Sequence, residues 1–386
     1  MRHVTVLGAS GSIGRQALSL IATYPERYRV EGLSVHRQIS LLPQWIEEFS
    51  PRWIAVTHFP TYRRLRQEWN YALPLLSTQE MYEYLAVAPG DIVLNGIVGS
   101  AGFWASWHTL YHSRAMLALA NKESLVFGGP WLVAYRQRIL PVDSEHSALF
   151  QCLVGEGRDT IKQLILTASG GPFRGKKKSE LLHITPREAL RHPVWRMGAR
   201  ITVDSATLMN KALELIEAHW LFGVPEHQIE VWIHPECILH SLVIFQDNCM
   251  KAQLSKPDMR LPILYALSYP ERVPFDEGYC NLPLIGNLHF EEVDENTFPS
   301  VQFAREALRK GGSAAALLNA ADEIVVEAFL EGKIGFLDIF DWLTWTLAQP
   351  ETLHEPSTPE ELSELEREFR IRLRSEIGLP MYAGRE

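Results

Sequence analysis

His3-Val4-Thr5-Val6-Leu7-Gly8-Ala9-Ser10-Gly11-Ser12-Ile13-Gly14 is the stretch that decides the fold. Its first five residues read as a short buried strand. A G-x-x-G-x-x-G turn follows, and then a helix with apolar residues at Ile13, Ala17, Leu20 and Ile21. Strand, glycine turn and helix in that order open a βαβ unit, whose backbone N–H groups and helix N-terminus can hold a pyrophosphate. The spacing differs from the commoner G-x-G-x-x-G, and such a loop by itself also serves as a tight structural turn. Its place between strand and helix favours nucleotide binding.

Working outward, apolar or β-branched runs at 29–35, 53–56, 91–94 and 139–142 alternate with helical patterns. They predict an α/β fold with an N-terminal Rossmann-like doubly wound parallel sheet over residues 1–146. Runs at 161–167, 229–234, 239–245 and 249–254 read as strands and 206–222 as a helix, which predicts a central α+β catalytic domain over 147–270. Pro and Gly punctuate a linker at 271–297. Residues 298–386 carry helical spacing at 303–310, 314–331 and 336–347 and predict a C-terminal helical bundle. Its last helix starts with Thr358 as N-cap and Pro359 and Glu361 in the first turn.

The 386 residues are 46% hydrophobic and 22% charged, as in an ordinary globular protein of several domains. A net charge of −9 argues against nucleic acid or an anionic membrane as partner, so an anionic ligand must meet a local basic site. Four cysteines without a CxxC pair indicate neither a disulfide framework nor structural zinc, and a reducing cytoplasm fits best. No signal peptide and no membrane-length apolar run is expected.

Several local signals carry chemistry. A dinucleotide with a free ribose hydroxyl usually calls for an acidic residue after the second strand, but here Ser34-Val35-His36-Arg37-Gln38 offers a cation, which favours a 2′-phosphate and hence NADPH. Solvated loop residues are the bland alternative. Asp143-Ser144-Glu145 follows the apolar run 139–142, so both carboxylates can point to one side of an extended chain. Alone, such a triplet more often marks a solvated strand end.

Glu214 is the best third carboxylate for a hard-cation site, with Asn210 and Lys211 four and three residues before it on one helical face. An ordinary surface ion pair is the rival reading there. Ser169-Gly170-Gly171, together with Ser205 near a helix N-terminus, Asn210 and Lys211, would make a phosphate cradle, although a Ser-Gly-Gly turn and a Ser cap are commonly structural. The stretch 187–198, with His192 and Trp195, reads as a closing lid; a loop with Trp195 buried against its own domain is the alternative.

Taken in order, GASGSIG (8–14), ANKESLV (120–126), PVDSEHSA (141–148), ASGGPF (168–173), HPVWRMG (192–198), VDSATLMNKALELIEAHWLF (203–222) and PDMR (257–260) resemble the 1-deoxy-D-xylulose 5-phosphate reductoisomerases. The resemblance implies conversion of 1-deoxy-D-xylulose 5-phosphate to 2-C-methyl-D-erythritol 4-phosphate, a step of non-mevalonate isoprenoid precursor biosynthesis. The route implied is retro-aldol cleavage and re-addition followed by reduction with NADPH. It also implies one divalent cation (Mn²⁺, Mg²⁺ or Co²⁺) on Asp143, Glu145 and Glu214, with Lys122 and His192 as further catalytic residues.

Implied contacts to the small phosphorylated sugar are Lys122, Ser144, Glu145, Ser169, His192, Trp195, Ser205, Asn210, Lys211 and Glu214. Implied contacts to NADPH are Ser10, Gly11, Ser12, Ile13, His36, Arg37, Gln38, Asn121, Glu123 and Gly198. His36 and Gln38 depart from the family pattern, whereas Arg37 keeps the charge. His234 and Met259 match family positions near the site, and a homodimer is implied. Another NADP-linked metal-dependent reductase or oxidative decarboxylase, or a non-catalytic NADPH sensor, are the competing functions.

Overall fold

A computed structural model describes residues 1–192 and 198–380. Seven strands form the first sheet: β1 (Arg2–Leu7), β2 (Tyr28–Val35), β3 (Trp53–Val56), β4 (Leu75–Leu76), β5 (Ile92–Asn95), β6 (Met116–Leu119) and β7 (Ile139–Pro141). All pair in parallel in the order β4-β3-β2-β1-β5-β6-β7. The chain winds outward from β1 to β4 and then returns to β5 on the other side, so a crevice opens at the carboxyl ends of β1 and β5.

β4 and β6 are not expected from the apolar runs. β4 has only two residues. Around β6 the chain reads Ala-Met-Leu-Ala-Leu-Ala, which has no β-branched residue and suits a helix equally well. Burial between β5 and β7 decides it as a strand.

The glycine turn leads from β1 into the helix Ser12–Thr23. Gly8 has φ +74, and a Cβ there would stand 2.6 Å from the carbonyl oxygen of Gly96. A Cβ on Gly14 would stand 2.5 Å from Ala9 Cα and from the Gly8 oxygen, so only glycine lets the helix approach the turn this closely.

The second sheet holds β8 (Ile161–Ala168), β9 (Ile229–Ile233), β10 (Leu239–Phe245), β11 (Met250–Leu254) and β12 (Glu291–Glu292) in the order β11-β10-β8-β9-β12. Four of these match the expected runs. β12 comes from the stretch read as linker and pairs antiparallel with β9. The helices Ser144–Leu153 and Met209–Phe222 pack on the face that carries Leu164, Leu166 and Val243.

Two local readings are corrected. Asp143 is the N-cap of the helix Ser144–Leu153, so Ser144 and Glu145 lie in a first helical turn and not on an extended chain. The expected helix over 206–222 is two helices, Ala199–Thr207 and Met209–Phe222, separated by Leu208 at φ +62. The Thr207 hydroxyl accepts the Met209 N–H at this break. Ser205 therefore sits in the last turn of the first helix and not at a helix N-terminus.

The helix Arg260–Ser268 leaves the second sheet and packs against Ser12–Thr23, placing Ile263, Leu264 and Leu267 beside Ala17, Leu18 and Ile21. Arg2 donates to the carbonyls of Leu267 and Tyr269 and anchors it there. The last part of the chain packs the helices Ser300–Lys310, Ala314–Leu330, Asp338–Leu347 and Pro359–Ile377 around the nearly all-buried Ala314–Leu330. Thr358 caps the last of these by accepting the Glu361 N–H, as its sequence predicts.

Because the neighbours of the missing Gly14 Cβ are backbone atoms that cannot rotate away, Gly14→Ala is expected to lower stability by about 1–3 kcal/mol. Urea unfolding measures it, and an unchanged midpoint would show that the close approach is not required.

Candidate active site

A cavity of ≈ 730 Å³ runs from the glycine turn to the break at Leu208. At its nucleotide end, Gly11 is the N-cap of Ser12–Thr23 and provides no side-chain cap, so the first-turn N–H groups of that helix are available to a ligand. Gly11, Ser12, Ile13, Asn121, Lys122, Glu123 and Gly198 all line this cavity. Ser10 lies in the same turn. His36, Arg37 and Gln38 follow β2 and do not line the cavity, but Gly8 and Ala9 donate to the Ser34 hydroxyl and carbonyl, which places that stretch beside the turn. His36 also meets the Thr57 hydroxyl at 2.9 Å.

At the other end, β6 delivers Asn121 and Lys122, β7 delivers Asp143, and the break at Leu208 aims Asn210, Lys211 and Glu214 inward. Lys122 is buried, with Nζ 2.7 Å from Asp143 Oδ2, 2.9 Å from Glu214 Oε1 and 2.8 Å from Asn210 Oδ1. Lys211 Nζ lies 2.5 Å from Glu214 Oε2 and 3.6 Å from Glu145 Oε1. Ser144 donates to Glu145, and Asn210 to Glu214. One oxygen from each of Asp143, Glu145 and Glu214 lies within 4.8 Å of the others.

Burial works against the charge of Lys122, yet the Asp143 and Glu214 carboxylates hold it well above the usual lysine range. Glu145 is pushed up to about 8 by burial, with Lys211 opposing the shift and Glu214 and Asp143 repelling its charge. A cluster of three carboxylates whose own lysines do not neutralise it, presenting oxygen donors alone, fits a hard divalent cation.

Ser169 follows β8, where its hydroxyl meets His192 Nε2 at 3.2 Å and accepts the Gly171 N–H. Gly171, at φ +67, approaches so closely that a Cβ would stand 2.6 Å from the Ser205 carbonyl oxygen. Ser169, His192, Ser205, Asn210 and Lys211 thus share one wall of the cavity. Trp195 and the rest of 193–197 lie outside the described residues.

Met259 lines the cavity as well, but His234 does not. It is fully buried beneath β10, where its Nε2 accepts the N–H groups of Ile238 and Leu239 and its Nδ1 donates to the His289 carbonyl, which is a structural role.

Three residues of the site escape the sequence reading. His146 is fully buried beside Asp143; it becomes visible only once Asp143 is taken as a helix start, because positions three apart then share a face. His240 lines the cavity from within the apolar run of β10, and burial lowers its pKa to about 4. Arg200 joins Glu123 to Asp204 and to Asn319, Asp322 and Glu323 of the C-terminal bundle. No local motif marks that long-range network.

A doubly wound nucleotide fold that opens onto a carboxylate trio with bridging lysines defines a nucleotide-linked, metal-using oxidoreductase. The model of the 1-deoxy-D-xylulose 5-phosphate reductoisomerase family matches residues 4–129, and models of the family's C-terminal domains match 139–222 and 254–372. The chain belongs to this family.

The 1-deoxy-D-xylulose 5-phosphate reductoisomerase of Geobacillus sp. (strain WCH70) is 46% identical over 381 residues, covering 97% of this chain and 100% of that protein. The reductoisomerase 2 of Bacillus anthracis is 43% identical over 365 residues, covering 93% and 96%. Among solved structures, a DOX-P reductoisomerase in complex with NADPH, fosmidomycin and magnesium superposes with a TM-score of 0.91 at 35% identity, covering 98% of each chain. The Zymomonas mobilis enzyme in complex with NADPH gives 0.89 at 36% identity, covering 97% of this chain and 99% of that one.

Glu214→Gln is expected to leave the fold intact, because Lys122 keeps Asp143 and Lys211 keeps Glu145 as partner. Turnover should fall by more than about 100-fold, since losing even an outer partner of a metal ligand costs about 10–100-fold. Activity near wild type in a folded variant would remove Glu214 from the centre.

Proposed function

We propose that this chain converts 1-deoxy-D-xylulose 5-phosphate to 2-C-methyl-D-erythritol 4-phosphate while oxidising NADPH, with one divalent cation of the Mg²⁺, Mn²⁺ or Co²⁺ class on Asp143, Glu145 and Glu214. The observation that carries this reading is the carboxylate trio standing in the same cavity as the open helix N-terminus of the glycine turn. When bound, the cation supplies Lewis acidity and NADPH supplies a hydride. The chain's own residues bind, orient and move protons.

Lys122, held charged by Asp143 and Glu214, brings an ammonium to the oxygens of the reacting carbons and can pass a proton there. Ser169, Ser205, Asn210 and Lys211 grip the substrate phosphate, so that remote binding energy orients the carbons to be rearranged. His192 covers the substrate beside Ser169, Trp195 is assigned to the substrate on the family resemblance alone, and Ser144 orients Glu145.

On the nucleotide side, Ser10, Gly11, Ser12 and Ile13 take the pyrophosphate. His36, Arg37 and Gln38 meet the 2′-phosphate, and Asn121, Glu123 and Gly198 border the nicotinamide end. The Asn121 amide donates to Glu123, and Glu123 in turn accepts from Gly99 N–H and Arg200, so this edge of the site is preorganised.

A homodimer is part of the proposal. It is supported by the exposed apolar side chains Tyr279, Leu282, Leu284 and Phe290, which cluster on the segment that ends in β12. A cytoplasmic setting accords with four unpaired cysteines. Light scattering that finds a monomer would refute the first.

Purified protein with 1-deoxy-D-xylulose 5-phosphate, NADPH and Mn²⁺ or Mg²⁺ should show loss of NADPH absorbance that requires the substrate and stops with EDTA. No oxidation by folded, NADPH-binding protein would overturn the assignment. Arg37→Ala should reduce the preference for NADPH over NADH by about tenfold or more, the worth of one charged hydrogen bond. An unchanged preference would remove Arg37 from the 2′-phosphate site.

A further inference from the structure

Glu217 lies one turn beyond Glu214 on the same helix, wholly buried and outside the cavity, and neither of its carboxylate oxygens has a hydrogen-bond partner among the described residues. A carboxylate that only filled space would be a costly choice there, because an apolar side chain or a neutral amide fills the same volume without the desolvation penalty.

Among the described residues the ionic partner of Glu217 is His146, whose Nδ1 lies 3.4 Å from Glu217 Oε2. His146 is likewise fully buried, and the same Nδ1 lies 3.5 Å from Asp143 Oδ1. Its other nitrogen, Nε2, lies 2.9 Å from the backbone carbonyl of Glu214. A carbonyl oxygen only accepts, so Nε2 carries a hydrogen and donates to it, which fixes the ring; two carboxylates facing Nδ1 favour a hydrogen there as well, so the ring stands between them as an imidazolium. The imidazole thus touches the chain at two of the three proposed cation ligands, and Glu217 closes the file behind it.

We propose that Glu217 is a positioning residue for the cation: acting through His146, it holds the Asp143 carboxylate in the orientation at which Asp143, Glu145 and Glu214 converge. This rests on the metal site proposed above. The file follows the general rule that groups behind a metal's ligands orient them and contribute to affinity. Asp143, His146 and Glu217 also lie within 4.8 Å of one another, so a second cation held between them is the rival occupant.

Mn²⁺ binding to the whole chain, without substrate or NADPH, separates these cases when free Mn²⁺ is followed by electron paramagnetic resonance. Wild type should bind one Mn²⁺ per chain. Glu217→Gln should weaken that binding about 10–100-fold while circular dichroism shows the same fold. His146→Gln should weaken it similarly, and the double variant should be no weaker than His146→Gln, because Glu217 acts only through the ring. If the amide at 217 does not fold, Glu217→Asp, which keeps the charge but retracts it by one methylene, carries the same comparison.

Wild-type affinity in a folded Glu217 variant, losses that multiply in the double variant, or two Mn²⁺ per chain would each overturn the proposal. A wild-type chain with no Mn²⁺ affinity would overturn the metal site itself, and this role with it.

Discussion

Three carboxylates and two ammonium groups are buried together where the nucleotide-binding layer meets the second sheet, and charges without water must find one another. They come from three points at which the chain has just ended a strand or broken a helix. β6 ends before Lys122, β7 ends before Asp143, and the left-handed Leu208 starts a new helix for Lys211 and Glu214. The packing of both layers thus serves to hold five charged groups in one geometry. The lysines leave the cluster short of positive charge, and burial, with Glu214 and Asp143 beside it, raises Glu145 to about 8. In the proposed function a divalent cation held there would reverse the sign and suit the cavity to a phosphorylated substrate, although the chain as a whole is acidic. Attraction for an anion is therefore local, and it is shielded from the surface by burial.

Much of this was legible in the sequence. The glycine turn and the apolar runs are short-range signals, and the strands they predict are present. β6 was not legible because Ala and Leu are neutral between helix and strand, and only its neighbours settle the choice. In sequence the D-S-E triplet points to an extended end, because two carboxylates two apart share a face of a strand. The structure reaches a similar convergence differently, with Asp143 just outside a helix and Glu145 in its first turn.

The cluster at Arg200 shows the other limit. Apart from Asp204, one turn along the same helix, its partners are 77 to 123 residues away in sequence, and nothing in their local spacing announces those contacts. Burial raises the carboxyls of Asp204 and Asp322 beside it, the latter to about 6, so the network is tuned by the packing of the C-terminal bundle and not by the motif that contains Arg200. Family resemblance supplied residues that line the cavity, such as Lys122 and Ser205. Residues that lie one step behind them, such as His146 beside Asp143, show only in the folded chain.

The helix Arg260–Ser268 changes how separable the parts of this molecule are. It is contributed by the segment that follows the second sheet, yet its apolar side chains roof the helix that carries the glycine turn. The chain therefore crosses into the second layer and comes back, which makes the nucleotide-binding unit discontinuous. A fragment ending at residue 146 would leave the Ala17, Leu18 and Ile21 face uncovered and Arg2 without the carbonyls of Leu267 and Tyr269. For anyone cutting, grafting or recombining such chains, the natural module is the first sheet together with this returning helix.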